Sequence, residues 1–111
     1  MKYFANENPD VLEKFLRAIN KATDFINSNT EESQEITANR LNSKKEDIAL
    51  HWDDFTFELS LDQSFLINIE DEARWAIRNE LTDKTEIPNY LDYIYIDALE
   101  SVKPEAVTII R

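Results

Sequence analysis

Apolar residues recur near the start of the chain at spacings of three and four: Val11, Leu12, Phe15, Leu16, Ile19, Ala22, Phe25 and Ile26. That period lays one stripe along a helix, and it predicts a helix over about 9–27 with the stripe buried. Asn8-Pro9-Asp10 marks the start, with an N-cap side chain, a proline at the first helical position and an acid favourable to the helix dipole. Asn29 with Glu32, and Ser43 with Glu46, have the spacing of capping boxes, so two further helices are expected over about 30–41 and 44–52. The period then changes. Phe55, Phe57, Leu59 and Leu61 alternate with Thr56, Glu58 and Ser60, which predicts a short extended, strand-like segment over 55–61. A lone strand cannot satisfy its own ladder, so it must pair outside this chain, pair with a second copy, or lie across helices. Asp62 caps a fourth helix with Phe65, Leu66, Ile69, Ala73, Ala76 and Ile77 on one face, ending near Asn79. Ile87-Pro88 breaks the chain, and 89–111 reads as short helical pieces stopped again before Pro104.

The expected fold is mainly α: a compact bundle of four to six helices with one extended segment, residues 1–8 forming an N-terminal extension and 9–111 a single domain. A chain of 111 residues, 42% of them hydrophobic, is long enough for one real core. It has no uncharged apolar run of the roughly 18 residues that a spanning helix needs, so no membrane insertion is expected. Lys2 is followed by no apolar stretch of the secretory kind, and the chain as written is expected to stay in the cytoplasm.

Composition removes several chemistries. Glycine is absent, where average usage of about 7% would supply roughly eight residues. Phosphate-cradling loops and the G-x-S-x-G elbow need glycine, so dinucleotide, P-loop and α/β-hydrolase sites are excluded. Asparagine is the next best residue for left-handed backbone, and Asn27, Asn29, Asn42 and Asn79 are read as substitutes for glycine at helix C-termini. With no cysteine, disulfides, thiolate nucleophiles and Cys-based metal sites are ruled out. Net charge is −11, a field that repels phosphates, so no nucleic-acid partner is expected.

No catalytic, metal or cofactor site emerges from the remaining residues, and the chain is not expected to be an enzyme. His51 is the only histidine and lacks a second ligand at a distinctive spacing, so it reads as a surface or helix-end residue. Asp53, Asp54 and Glu58 lack the ligand register and glycine turn of a calcium loop. Glu70, Asp71 and Glu72 are consecutive on a helix and cannot face one substrate. Ser60 and Ser64 flank a helix start, where serine caps N–H groups. Tyr90, Tyr93 and Tyr95, with Leu91, Ile94 and Ile96, read as core or interface rather than a ligand platform.

The run WDDFTFELSLDQSFLINIEDEARWAI, followed by IPNYLDYIYIDAL and VKPEAVTII, resembles the C-terminal end of the NMT1/THI5-like (SsuA-like) substrate-binding proteins of ABC importers. The opening ENPDVLEKFLRAINKATDFINSN resembles that family's helix after its second crossover, so the likeness runs over nearly the whole chain from Glu7. Asn42 and Glu80 depart from it, standing where relatives often carry glycine. The resemblance implies a C-terminal third of a protein whose two α/β lobes bind a small nitrate-, sulfonate-, taurine- or pyrimidine-type ligand outside the cytoplasm. The ligand loops of that family lie upstream, so it assigns no ligand-binding residue here. It implies partners in the form of the missing lobes or a second copy of the chain. Phe57, Leu59, Tyr90, Tyr93 and Tyr95 are the candidate interface residues.

Overall fold

The computed structural model describes residues 2–111. The fold is mainly α. Helix α1 spans Lys2–Glu7, α2 Pro9–Ser28, α3 Thr30–Leu41, α4 Lys45–Leu50, α5 Gln63–Arg78 and α6 Asp97–Val102, with short 3-10 turns at Trp52–Asp54, Tyr90–Tyr93 and Pro104–Ala106. Among the described residues there is no strand ladder, only one parallel bridge between Leu61 and Val107. Residues 55–60 run without helix, turn or bend, as their alternation predicts.

The helix ends show where local pattern and local geometry diverge. Asp62 caps α5 as expected, its Oδ1 accepting the amide of Phe65 at 3.0 Å and the hydroxyl of Ser64 at 2.6 Å. These bonds hold the Asp62 carboxyl below its ordinary pKa, the Ser64 hydroxyl contributing most. The capping boxes do not form. Asn29 precedes α3 without a side-chain cap, and α4 begins after Lys44, also uncapped. Only one residue separates α2 from α3, and the Asn29 side chain serves the first of them, donating Nδ2 to the Phe25 carbonyl at 3.1 Å. Asn8 does the same between α1 and α2, donating to the Phe4 carbonyl at 3.0 Å rather than capping α2 with its side chain. Ser43 gives its hydroxyl to the Leu41 carbonyl at 3.4 Å.

Of the asparagines read as glycine substitutes, only Asn42 is left-handed (φ 52°, ψ 44°). Asn27 stays inside α2. Asn29 and Asn79 have negative φ, and the left-handed residue after α5 is Glu80, at φ 57°. Both left-handed residues sit in the same closing motif, with Ser43 N–H donating to the Ala38 carbonyl at 2.9 Å and Leu81 N–H to the Ala76 carbonyl at 3.0 Å.

The chain divides into two compact units, one of residues 2–16 and 60–111, the other of 17–59. In the first, Ala5, Leu66, Ala98, Leu99, Ala106 and Ile109 are buried. Residues 2–7, outside the domain in the sequence-based expectation, are thus helical and contribute Ala5 to this core. The C-terminal segment is pinned by bonds between Leu61 and residues 106–109 and by Ile110 N–H donating to Gln63 Oε1 at 2.9 Å. In the second unit only Ser33, Gln34 and Ala38 are buried. Lys45 ties α4 to α3 through Glu31 at 2.6 Å and Glu35 at 3.8 Å. The hydrogen bond between them lowers the Glu31 pKa and raises that of Lys45.

The expected burial of the α2 stripe is corrected. No residue of α2 is buried, and Val11, Phe15 and Phe25 are exposed. Periodicity shows that a helix has an apolar side; it does not show that anything in the same chain covers it.

Candidate functional site

The unit of residues 17–59 contains an open apolar groove of about 340 Å³, within the range of small binding clefts. Ile26 enters it from α2, and Thr37 and Leu41 from α3, three and four residues being the spacing that puts neighbours on one helix face. Asp47, Ile48 and His51 come from α4 and its C-terminus, and Trp52, Phe55 and Phe57 from the chain that follows. The aromatic wall is packed on itself: Trp52 and Phe57 have ring centroids 4.8 Å apart, inclined at 36°, and Phe55 and Phe57 are 6.4 Å apart.

The extended segment is anchored at one point, where Asn27 Nδ2 donates to the Phe57 carbonyl at 2.9 Å. Phe57 and Leu59 are half-buried while Thr56 and Glu58 are exposed, so the alternation is realised as an inner and an outer face from Thr56 onward, Phe55 being exposed. Among the described residues the amides of 56–59 have no internal acceptor. The polar atoms at the groove are few. Thr37 Oγ1 donates to the Ser33 carbonyl at 2.8 Å. His51 terminates α4, with Nδ1 3.4 Å from Asp54 Oδ2 and both side chains well exposed, as a helix-end histidine should be. From Glu46 to Ala73 the chain carries no lysine or arginine, and Glu46, Asp47, Asp53, Asp54 and Glu58 flank the groove in sequence. The site can therefore offer apolar contact, unpaired backbone and negative charge.

The candidate interface residues fall in both units. Phe57 lines the groove and Leu59 follows it on the same face. Within the other unit, Tyr93 (73% exposed) and Tyr95 border a recess of about 300 Å³ with Leu12 and Phe15. Tyr90 borders a different one of about 190 Å³ beside Ala76, Ile77 and Pro88. The three tyrosines thus do not form a common platform. Thr37, Leu41, Asp47, Ile48 and Trp52 are groove residues that the sequence did not single out, and Ile26 was read only as part of the α2 stripe. They come from separate elements, and the one local signal was Trp52 standing where the helical period gives way to alternation.

Among the described residues no three His, Cys, Asp or Glu side chains group as metal ligands do. Asp71 and Glu70 pair with Arg74 at 2.6 and 3.6 Å, and Ser64 is committed to the cap of α5. No helix of the described residues is long and apolar enough to cross a membrane. No known protein family, curated protein or solved structure matches this chain.

Proposed function

We propose that the chain works by non-covalent contact with other protein, as the C-terminal, helical portion of an NMT1/THI5-like substrate-binding protein of an ABC importer, binding no transported ligand through its own residues. The residue blocks quoted above support the family. The observation that carries the contact reading is α2, an amphipathic helix from Pro9 to Ser28 with no buried residue. Exposed Phe15, Phe55 and Trp75 point the same way, and among the described residues no large side chain is fully buried. An amphipathic helix whose apolar side is left open is the kind of surface that meets a partner. In the parent family that face would meet the α/β lobes.

Co-expression with a coding sequence for such lobes, taken from the DNA upstream of Met1, tests this directly. Co-purification together with slowed amide exchange along α2 is expected. A stable solitary chain whose exchange is unchanged by the lobes would refute the family reading. The exposure of Tyr93 and of Phe55 beside Phe57 favours a second reading, a homodimer formed through Phe57, Leu59 and the tyrosine-rich segment. Sedimentation equilibrium would support it by a dimer and reject it by a monomer at high concentration.

A further inference from the structure

The geometry points to an edge-pairing site: residues 55–59 and the groove beside them accept an extended strand of another polypeptide, apolar on one face and carrying lysine or arginine on the other. This rests on the reading that the chain works by contact with protein, and not on the family to which it belongs.

In an extended chain the N–H and C=O of one residue point to the same edge, and those of the next residue to the opposite edge. Asn27 occupies the edge of Phe57 through its carbonyl. The other edge, that of Thr56 and Glu58, has no internal hydrogen bond among the described residues. A strand laid along it would gain main-chain bonds, which supply affinity in edge pairing, while pockets for alternate side chains supply selectivity. Here the pocket is the groove walled by Ile48, Trp52 and Phe55.

Charge selects the occupant. Free edges in natural proteins are commonly guarded by lysine. This one is flanked by Asp53, Asp54 and Glu58, with no lysine or arginine between Lys45 and Arg74 and His51 set 3.4 Å from Asp54. A second copy pairing here would set acid against acid, and like charges directly opposite are destabilising. The same acids attract a cationic strand and exclude anionic ones. Main-chain pairing of this edge with its own copy is thus disfavoured by the residues that recognise its partner.

The test uses the full chain with Trp75→Phe, so that Trp52 alone reports on the groove by its fluorescence. The probes are short blocked peptides alternating lysine with valine and leucine, the same peptide with glutamate for lysine, and two lysine peptides N-methylated on alternate residues, one along each edge. The lysine peptide should shift the Trp52 emission, bind at least about tenfold tighter than the glutamate peptide, and weaken as salt is raised. N-methylation along one edge should weaken binding about tenfold, and along the other leave it nearly unchanged. Absence of binding up to about 1 mM peptide, equal binding of the glutamate peptide, or identical behaviour of the two methylated peptides would each overturn the proposal. Ile48→Asp, with helix content checked by circular dichroism, should abolish the shift. None of these outcomes depends on the lobes, so failure here leaves the family reading to its own experiment.

Discussion

The two units of this protein are built on opposite terms. Residues 2–16 and 60–111 close around Leu66, Leu99 and Ile109, and the chain end is tied back through Leu61 and Gln63. Residues 17–59 are held by polar ties, Lys45 to Glu31 and Asn27 to the Phe57 carbonyl, and bury only Ser33, Gln34 and Ala38. A unit near 40 residues usually needs a disulfide, a metal or a partner to stand alone. This one has no cysteine, so no disulfide makes up for its small core. The difference is one of core: among the described residues Ala5, Leu66, Ala98, Leu99, Ala106 and Ile109 are buried in the first unit, and Ala38 is the one buried apolar residue of the second.

Core truncation is the strongest way to break that contrast. Leu99→Ala should cost about 2–4 kcal/mol in urea unfolding. Phe55→Ala, at a side chain 66% exposed, should stay within about 0.5 kcal/mol while removing the groove wall. Equal losses at the two positions would erase the distinction. Next in size, Glu80→Gly should raise stability by about 1 kcal/mol, because a side chain at φ 57° pays a steric cost that glycine does not. In the other unit, Ser33→Ala should stabilise by up to roughly 1 kcal/mol, since Ser33 Oγ is buried with no hydrogen-bond partner. A loss of stability there would mean that the hydroxyl is satisfied after all.

The smallest effect is that of pH. Glu31 has a lowered pKa in the fold, so its contribution is present above the ordinary carboxylate range and is lost as pH falls through the folded value. The raised pKa of Lys45 reverses the sign: its contribution is complete below the ordinary lysine value and is lost as pH rises through the folded one. Acid should therefore loosen α4, seen as lower amide protection factors over 45–50 after correction for the slower intrinsic exchange. Asp62, lowered as well, should release the start of α5 in the same acidic window. Protection in the two helices that is indifferent to acid would count against both ties.

Much of the first-order architecture was legible. Pro9, the apolar period and the cap at Asp62 place α2 and α5 within a residue or so, and α3 falls where the Asn29–Glu32 spacing put it although that capping box does not form. What was not legible is how one side chain is shared between two helices. Asn8 and Asn29 read as starts of the helices after them, yet their amides close the helices before them. Nor was Glu80 an obvious left-handed residue, since glutamate carries no local preference for that region. Asn42, by contrast, is of the residue type read as a glycine substitute, and its φ is positive. The groove was the least legible feature, because Ile26, Leu41, Ile48 and Trp52 converge only through the turn between α3 and α4.

The asparagine closures also bear on how the molecule ages. Asn8, Asn29 and Asn79 each commit the side-chain amide to a carbonyl four residues earlier. They are followed by Pro9, Thr30 and Glu80. Conversion of asparagine to isoaspartate proceeds by attack of the next backbone nitrogen on the side-chain carbonyl carbon, fastest when that next residue is glycine. In a chain without glycine no asparagine has such a neighbour, and at Asn8 the following proline has no N–H to begin the reaction. Helix ends closed at Asn8, Asn29 and Asn79 thus trade the ease of a glycine cap for a slower chemical clock at those three positions.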